Sequence, residues 1–527
     1  MSRAWYVTTP IYYANAEPHI GHTYTTVVAD TLLRWRRMRG EDAYSVSGTD
    51  EHGEKMVEAA ARRGIPVRAL VDEVAAAFQR TWDELGIAPS RFVRTTDPDH
   101  VRNVRGVLRR VYDAGWIEKR EYEGLYCVGC ERFLTERDLE NGLCRDHERA
   151  PEPRCESNWF FLMSREFGWL RDHIERNPDF IRPERYRNEA LGMLRDESGL
   201  GDLSISRPKS RLDWGVELPF DRDHVCYVWF DALLTYLTGA GFDGERAAGD
   251  QPAEFLARWN AAEHLIGKDI LKPHAIFWPI MLKAIGLPPP RHLNVHGYWN
   301  VDDRKVSKSL GNMISPLAMR ERYGFEAFRH FLLREMSFGL DASFTEEALV
   351  ERVNADLANN LGNLVSRTLN LVGRLCAGRV PESGAFGAAE DEIVGAVARA
   401  AEALDRALSE LRLHEASAAV LALASDVNRY LDAKAPWKAA KEPGGEAIVR
   451  TSLHVSCQAL YAIALLLAPL LPRAAETLVE RLGVPEAIRG ARLPADAARF
   501  GALASGTPVT KGEPLFPRIQ LPAVESA

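Results

Sequence analysis

The sequence predicts an α/β protein in which an insertion divides a parallel-sheet domain and an all-α bundle follows. Three observations indicate this fold class. A strand, a helix and a second strand succeed one another within the first 50 residues. A cysteine- and proline-containing stretch over 116–225 interrupts that pattern. After residue 350 the apolar residues recur every three or four positions, as in helices that pack together.

The first part of the chain predicts a strand–helix–strand unit, which requires a parallel sheet. A turn-rich stretch over Pro10–Pro18 separates the first strand from the helix, and Gly40 ends that helix. The predicted strands are Trp5–Thr9 and Ala43–Ser47, and the predicted helices are Gly21–Met38, 54–63 and 67–85.

Beyond the insertion, strand patterns resume at Cys226–Trp229 and at Glu263–Ile266. The apolar run Leu460–Leu471 contains Pro469 and is too short to span a bilayer, so we expect a buried helix there. The predicted segments are 1–115 and 226–300 for the two halves of the α/β domain, 116–225 for the insertion, 301–350 for a linking segment, 351–490 for the bundle and 491–527 for a tail.

The composition is that of a globular protein without a strong charge bias. The 66 basic and 74 acidic residues give a net charge of −8, which argues against a basic packaging protein but not against a nucleic-acid enzyme with local basic patches. The first residues lack the basic and apolar regions of a signal peptide. We expect a cytoplasmic protein without a membrane segment.

The junction of the first strand and first helix contains His19, Gly21 and His22. A helix N-terminus favours phosphate, a glycine lets a nucleotide approach the backbone, and two histidines can donate hydrogen bonds to phosphate oxygens. Two surface histidines near a helix cap would give the same pattern.

A second phosphate signal is the loop that contains Lys305, Ser307 and Lys308. Two lysines three residues apart form a cationic clamp suited to a polyphosphate leaving group. A solvated basic turn is the alternative interpretation of so short a motif.

The insertion contains Cys127 and Cys130, then Cys144 and His147, each pair with two intervening residues. This spacing is typical of a structural zinc site with four tetrahedral ligands. Cys155 could replace His147 as the fourth ligand, but the two-residue spacing of His147 closes a more compact knuckle.

Several long motifs resemble methionyl-tRNA synthetases, within the class I aminoacyl-tRNA synthetases. They are VTTPIYYANAEPHIGH, SGTDEHG, YEGLYCVGCERF, RPKSRLDWG, YVWFDALLTY, LIGKDILKPHAIFWP and AKAPWK. The resemblance implies a Rossmann-type catalytic domain with a single zinc knuckle. It also implies that ATP, with Mg²⁺, and L-methionine form methionyl adenylate, whose methionyl group passes to initiator and elongator tRNA(Met). Val306 departs from the usual methionine, but the charged Lys305 and Lys308 are retained.

The resemblance implies the residues of the catalytic site. Asp50 would receive the methionine ammonium, and Asp50 and Tyr13 each follow a strand that faces the presumed cleft. An apolar, aromatic-lined pocket suits a thioether, although any single tryptophan could be ordinary core. The methionine pocket would contain Ile11, Tyr13, Asp50, Trp229, Leu233, Tyr236, His274, Phe277 and Trp278. The ATP site would contain His19, Gly21, His22, Asp269, Lys305, Ser307 and Lys308, with His19, His22, Lys305 and Lys308 catalytic.

The resemblance also places anticodon binding on the helical bundle, at Asn363, Arg367 and Trp437. Asn363 and Arg367 lie four residues apart, hence on one helix face, and aromatic stacking is a common way to bind unpaired bases. A solvated basic face with a packed tryptophan is the alternative. Because little chain follows the bundle, we expect a monomer rather than a dimer formed through an appended domain.

Related functions fit the sequence less well. The insertion is too short for the editing domain of the leucine, isoleucine and valine enzymes, and the cysteine enzyme would hold its zinc in the substrate site. A non-catalytic RNA-binding protein would not need the histidine and lysine motifs, and a small-molecule adenylyltransferase would not need the bundle.

Overall fold

The computed structural model describes residues 3–128, 132–134, 138–145, 148–196, 200–301, 304–305 and 313–521. The chain forms two compact units. One contains residues 4–29 and 43–297, and the other contains residues 1–3, 30–42 and 298–527.

The strands occur mainly in the first of these units. In chain order they are β1 (Ala4–Tyr13), β2 (Asp42–Asp50), β3 (Arg91–Arg94), β4 (Ile117–Cys127), β5 (Arg132–Leu134), β6 (Leu139–Glu140), β7 (Leu143–Cys144), β8 (Glu152–Phe161), β9 (Ile181–Arg182), β10 (Leu203–Ser204), β11 (Ser206–Pro208), β12 (Glu217–Leu218), β13 (Asp221–Cys226), β14 (Ala262–Gly267), β15 (His292–His296), β16 (Trp299–Val301), β17 (Arg304–Lys305) and β18 (Ala342–Ser343).

Helices follow the strands of the first unit and dominate the second. They are α1 (Ile20–Met38), α2 (Glu54–Arg63), α3 (Val67–Glu84), α4 (Pro98–Asp113), α5 (Phe167–Arg176), α6 (Glu184–Arg195), α7 (Val228–Leu233), α8 (Thr235–Ala240), α9 (Ala253–Trp259), α10 (Trp278–Ile285), α11 (Pro316–Tyr323), α12 (Phe325–Glu335), α13 (Glu346–Val353), α14 (Asn363–Leu375), α15 (Ala388–Ser409), α16 (Leu413–Lys434), α17 (Pro436–Ala439), α18 (Glu446–Leu467), α19 (Pro472–Arg481) and α20 (Ala495–Ala498). Two π-helical segments, Pro273–Phe277 and Asn354–Gly362, precede α10 and α14.

A six-stranded sheet in the order β3–β2–β1–β14–β15–β9 forms the centre of the first unit. β1 pairs with β14 in parallel, as do β2 with β3 and β14 with β15. The predicted parallel α/β fold is therefore confirmed. The predicted helices over Gly21–Met38, 54–63 and 67–85 are also confirmed as α1, α2 and α3.

The insertion is built on a long antiparallel pair, β4 and β8, whose register extends from Ile117 opposite Phe161 to Tyr126 opposite Glu152. A second, three-stranded sheet contains β11, β13 and β12. The short strand β9 also lies within the inserted segment, yet it pairs in parallel with β15 and so forms one edge of the central sheet.

Two local predictions need correction. The turn-rich stretch predicted over Pro10–Pro18 begins later than expected, because β1 continues to Tyr13 and the turn lies at residues 14–16. The pairing of β1 with β14 ends at Thr8, so Pro10 need not donate a hydrogen bond to that neighbour. Cys226–Trp229 is not a strand of the α/β domain: Cys226 ends the antiparallel β13, and α7 begins two residues later. In so short an apolar run, the spacing of the apolar residues does not distinguish a buried strand from a buried helix.

The second unit is the predicted helical bundle, with α15, α16 and α18 as its longest helices. Among the described residues, α18 is the one helix long and apolar enough to cross a membrane by length and composition, and 78% of its apolar window is buried in the protein. Such burial is typical of a core helix, as expected for the run from Leu460. The tail is held against the bundle, because Asn354 exchanges hydrogen bonds of 2.9 and 3.0 Å with the backbone of Ile519.

The second half of α1 belongs to this unit. Asp30 and Arg329 of α12 form a buried ion pair at 2.6 Å, and the Arg329 Nε donates to the Leu470 carbonyl at 2.6 Å. Trp35 donates its indole N–H to Asp405 of α15 at 2.9 Å. These contacts satisfy buried charges that would otherwise be costly.

Candidate active site

Three residues of the predicted catalytic site lie at one edge of the central sheet. Tyr13 is the last residue of β1 and Asp50 the last of β2, as predicted, while Asp269 follows β14 by two residues. His296, which the sequence did not indicate, is the last residue of β15. The carboxyl ends of parallel strands share one edge, which is where α/β proteins bind ligands.

The histidine motif forms a compact pair at the start of α1. The His19 and His22 rings stack with their centroids 3.7 Å apart. The backbone N–H of Gly21 donates to His19 Nδ1 at 3.1 Å, and the backbone N–H of His19 donates to His22 Nδ1 at 3.4 Å. A Cβ on Gly21 would lie 3.0 Å from the His19 ring, so glycine leaves room for this arrangement.

These backbone bonds determine the histidine tautomers. Because each Nδ1 accepts a hydrogen bond, each neutral ring carries its proton on Nε2. Burial holds the pKa of His22 well below its usual range, and the nearby His19 lowers this pKa further. His22 is therefore a neutral hydrogen-bond donor at physiological pH.

An aromatic platform beneath His22 was not indicated by the sequence. The Tyr12 ring lies 4.6 Å from the His22 ring, and Phe78 of α3 lies 5.4 Å from His22 and 5.3 Å from Tyr12. Phe78 is fully buried. It lies at a core position of a predicted helix, which is why its sequence pattern does not distinguish it from ordinary core.

A buried tyrosine–histidine pair forms the centre of the predicted methionine pocket. The Tyr236 hydroxyl lies 2.7 Å from His274 Nε2, while His274 Nδ1 lies 2.8 Å from the Ile270 carbonyl. A carbonyl can only accept, so Nδ1 carries the proton and Tyr236 donates to Nε2. Burial lowers the pKa of His274 to about 4 and raises that of Tyr236 far above its usual range, so both groups are neutral.

A second polar layer lies behind Tyr236. Trp278 is fully buried and donates its indole N–H to His264 Nε2 at 3.0 Å, and His264 Nδ1 bonds the Thr8 hydroxyl at 2.7 Å. The Trp278 and Tyr236 rings are 6.0 Å apart. Trp278 is thus a core residue that packs beside Tyr236.

The other predicted pocket residues lie on three elements, and one of them, Trp229, is a neighbour of His274. Trp229 and Leu233 lie on α7, and the half-buried Trp229 ring is 6.2 Å from that of His274. Phe277 is buried on the π-helical segment before α10. Ile11 is half-buried on β1.

The predicted ammonium partner, Asp50, is only 5% exposed, and its negative charge helps to raise the pKa of Tyr236. Tyr13, at the neighbouring strand end, has the Lys55 ammonium 4.4 Å above its ring. A buried carboxylate beside neutral, apolar groups suits a cationic group joined to an apolar chain.

The predicted ATP residues are described only in part. Asp269 is exposed in a 3-10 turn after β14, where its charge acts on His274 and His296. The backbone of Lys305 lies in β17, opposite Asn300. Ser307 and Lys308 lie outside the described residues.

The predicted zinc ligands are also described only in part. Cys127 ends β4 and Cys144 ends β7; both are buried, and they share one small cluster with Leu134. Cys130 and His147 lie outside the described residues, and no group of three metal ligands occurs within the described ranges. The backbone of Cys155 lies in β8, opposite Glu123.

The three predicted anticodon residues lie in the second unit, where Asn363 and Arg367 each contact a residue of α16. The Arg367 guanidinium lies 4.4 Å above the Trp437 ring and 2.5 Å from the Asp432 carboxylate. One helical turn earlier, the exposed Asn363 donates to Asn428 at 3.4 Å. The fold brings a cation, an amide and an indole together on a partly exposed surface.

Known proteins resemble this chain over its whole length. The family model described as tRNA synthetases class I (M) matches residues 5–146 and 136–369, and the model for the anticodon binding domain of methionyl tRNA ligase matches residues 380–526. The methionine--tRNA ligase of Deinococcus radiodurans is 43% identical over 99% of this chain and 76% of its own length. That of Streptomyces coelicolor is 41% identical over 98% of this chain and 97% of its own.

Solved structures also resemble this chain over almost its whole length. The methionyl-tRNA synthetase of Mycobacterium tuberculosis, in complex with methionyl-adenylate, superposes with a TM-score of 0.90 and 38% sequence identity, over 98% of this chain and 100% of that one. Its apo form superposes with a TM-score of 0.85 and 35% identity, over 99% of each chain.

Proposed function

The chain belongs to the methionyl-tRNA synthetase family of class I aminoacyl-tRNA synthetases, and we propose how its own residues carry out that reaction. The reaction is the activation of methionine by ATP followed by transfer to tRNA. The observation that carries the proposal is the shared sheet edge, where a stacked histidine pair, a buried carboxylate and a neutral aromatic pocket occur together.

His19 and His22 act on the phosphates of ATP. Because each Nδ1 accepts from a backbone N–H, each neutral ring carries its proton on Nε2, and these N–H groups would donate toward the charge that develops on the α-phosphate. Because the low pKa of His22 keeps it neutral, its proton remains in place throughout the physiological range. Lys305 and Lys308 hold the departing pyrophosphate, and Ser307, Gly21 and Asp269 complete the nucleotide site. ATP enters with Mg²⁺, which neutralises part of its charge.

Methionine binds with its ammonium at Asp50 and its side chain in the pocket around Tyr236 and His274. The methionine carboxylate then attacks the α-phosphorus, the bond to pyrophosphate breaks, and methionyl adenylate forms. Positioning and charge stabilisation accelerate this reaction, since the formation of the adenylate requires no covalent enzyme intermediate.

The test is ATP–pyrophosphate exchange with a panel of amino acids and no tRNA. Methionine alone should support rapid exchange. Leucine or cysteine exchanging as fast as methionine would contradict the assignment of the pocket.

One structural zinc is bound by Cys127, Cys130, Cys144 and His147. Support comes from the two described cysteines, which are buried in the same cluster. The register of β4 and β8 argues against Cys155 as a zinc ligand. The backbone of Cys155 lies opposite Glu123, and Glu123 is four residues from Cys127 on β4. At about 3.3 Å per residue that is about 13 Å along the strand, too far for two ligands of one ion.

Metal analysis of single variants tests this ligand set. Wild type and Cys155→Ser should contain one zinc per chain, whereas His147→Ala should lose affinity for zinc. Loss of zinc in Cys155→Ser but not in His147→Ala would reverse the choice of fourth ligand.

The bundle binds the anticodon of initiator and elongator tRNA(Met) through Asn363, Arg367 and Trp437. The indole offers a stacking face, and the guanidinium and amide offer hydrogen-bond donors to base edges. The protein acts as a cytoplasmic monomer without membrane attachment. Sedimentation with and without tRNA tests the monomer, and a concentration-dependent dimer would contradict it.

A further inference from the structure

A buried carboxylate, Asp231, lies between two histidines from distant parts of the first unit. Its Oδ2 lies 2.6 Å from His52 Nδ1, and its Oδ1 lies 2.8 Å from His100 Nε2. Asp231 and His100 are fully buried, and His52 is 7% exposed. Burial alone would raise the pKa of Asp231, but the two histidines lower it to about 2, so the carboxylate is ionised.

The proton positions around Asp231 follow from the donor and acceptor chemistry. A carboxylate only accepts, so His52 Nδ1 and His100 Nε2 both carry protons. Asn103 donates to the Thr238 hydroxyl at 3.1 Å, and that hydroxyl lies 3.0 Å from His100 Nδ1. The Thr238 proton can therefore point to His100, which completes a one-directional chain from Asn103 to Asp231 in which each group is satisfied.

The same carboxylate connects three elements that carry the methionine site. Asp231 lies on α7 between Trp229 and Leu233. His52 follows Asp50 by two residues, beyond the end of β2. Through His100, the carboxylate also reaches Thr238 on α8, the helix that carries Tyr236.

We propose that Asp231 is a positioning residue that sets the distance between the ammonium end and the thioether end of the methionine site. This inference rests on the proposed assignment of Asp50 to the ammonium and of α7 and α8 to the side chain. A rigid connection of this kind makes the length of the substrate side chain matter, because the two ends of the site cannot separate to admit one more methylene group.

The experiment compares methionine with ethionine, which is longer by one methylene, in ATP–pyrophosphate exchange by wild type and Asp231→Asn. The amide presents an NH₂ group to one histidine N–H, so one connection is lost with little change of volume. In Asp231→Asn we expect the KM for methionine to rise about tenfold, as for a misplaced binding group, while the KM for ATP stays within about twofold.

The decisive measurement is the ratio of kcat/KM for methionine to that for ethionine. One methylene in a rigid pocket is worth roughly tenfold or more, and we expect this ratio to fall to about threefold or less in Asp231→Asn. A merely structural residue would lower both values by the same factor, together with the melting temperature. An unchanged ratio would overturn the proposal.

Two histidine variants keep the test independent of whether Asp231→Asn folds. His100→Gln retains a donor near the Nε2 position and should largely restore the methionine preference, whereas His100→Leu should lose it. Asp221→Asn is the matched control, since Asp221 lies 3.0 Å from His224 in the insertion, away from the predicted pocket, and should leave the ratio unchanged. Equal ratios in His100→Gln and His100→Leu would contradict the chain of hydrogen bonds.

A comparison of Asp50→Ala with Asp231→Asn separates the methionine site itself from the positioning role of Asp231. If Asp50→Ala leaves the methionine KM unchanged, the methionine site itself is misassigned. If Asp50→Ala abolishes exchange but Asp231→Asn keeps the wild-type preference for methionine over ethionine, only the positioning role is wrong.

Discussion

The proposed methionine pocket and the proposed anticodon surface both place an aromatic ring beside a polar group, but the pocket is buried and the surface is partly exposed. Tyr236 and His274 are at most 2% exposed, and burial keeps both neutral. On the bundle, Arg367 and Trp437 are half-buried and their neighbour Asp432 has a side chain 64% exposed. Tyr236 and His274 are fixed by hydrogen bonds, whereas Arg367 is held by a contact with the Trp437 ring and by a solvated ion pair with Asp432.

This difference indicates how each region recognises its ligand. A buried polar group deprived of its partner costs about 1–3 kcal/mol, so the pocket tolerates few arrangements and can select one small side chain. An exposed ion pair contributes only about 0–1 kcal/mol, so Arg367 can leave Asp432 and expose a stacking face at little cost. Variants that remove one of these groups at a time test the contrast between the two regions.

Removing the buried carboxylate should have the largest effect. Loss of one member of a buried charge pair costs about 3–5 kcal/mol, which corresponds to a hundredfold or more at 1.4 kcal/mol per factor of ten. Asp50→Ala should therefore nearly abolish methionine-dependent exchange, measured with methionine at saturation and below it. Asp83→Ala, an exposed position on α3, is the control. Retention of more than half the exchange by Asp50→Ala would remove Asp50 from the ammonium site.

Trp437→Ala should separate the two regions. Base–aromatic stacking is worth roughly 1–3 kcal/mol, so tRNA charging should fall about ten- to a hundredfold while methionine-dependent exchange stays near wild type. The control is Trp169→Ala, since Trp169 is a half-buried tryptophan with the Lys283 ammonium 4.3 Å above its ring, and it should leave the ratio of charging to exchange unchanged. Equal losses in both reactions with a lower melting temperature would make Trp437 a core residue.

Tyr236→Phe should weaken methionine binding without affecting tRNA recognition. Without the hydroxyl, His274 Nε2 has lost its donor, and a cost of about 1–2 kcal/mol predicts a methionine KM roughly five- to thirtyfold higher. Tyr430→Phe removes a buried hydroxyl that bonds Glu390 at 2.8 Å in the bundle, and should leave this KM unchanged.

Tyr236→Phe should also change how the KM for methionine depends on pH. In wild type the pKa of His274 is about 4, so the methionine KM should not respond to His274 above pH 5, and should rise only as the pH falls toward 4 and the ring becomes charged. A hydrogen bond donated to Nε2 favours the neutral ring. Its loss in Tyr236→Phe should therefore move this inflection to higher pH, and a shift to lower pH would contradict the assigned direction of the hydrogen bond.

The smallest effect on substrate binding is expected from Phe78, which packs against His22. Phe78→Leu removes part of the platform under His22, and a loss of about 1 kcal/mol in ring contacts predicts a KM for ATP roughly three- to tenfold higher. Phe255→Leu, at a buried aromatic contact with Trp259, should leave that KM unchanged. If both variants raise the KM for ATP equally, the platform has no specific role.

Features that depend on chain direction and on the local period of apolar residues could be predicted from the sequence. The helix that begins beside His19 follows from apolar spacing and Gly40, and the placement of Tyr13 and Asp50 at one edge follows from the parallel sheet that a strand–helix–strand unit requires. The bundle follows from the same periodicity. Chemistry that resides at strand ends and helix starts is therefore predictable from the order of elements.

The polar groups that meet inside the fold could not be predicted from the sequence, because packing brings them together. The bond between Tyr236 and His274 joins residues 38 apart, and that between His52 and Asp231 joins residues 179 apart. Strand β9 joins the central sheet from within the insertion. Such contacts depend on how whole elements pack, because a hydrogen bond requires its two atoms within about 3 Å and no local pattern in the chain encodes that distance. Burial, which only packing creates, keeps His274 neutral, whereas the hydrogen bonds and charges of His52 and His100 keep the buried Asp231 carboxylate ionised.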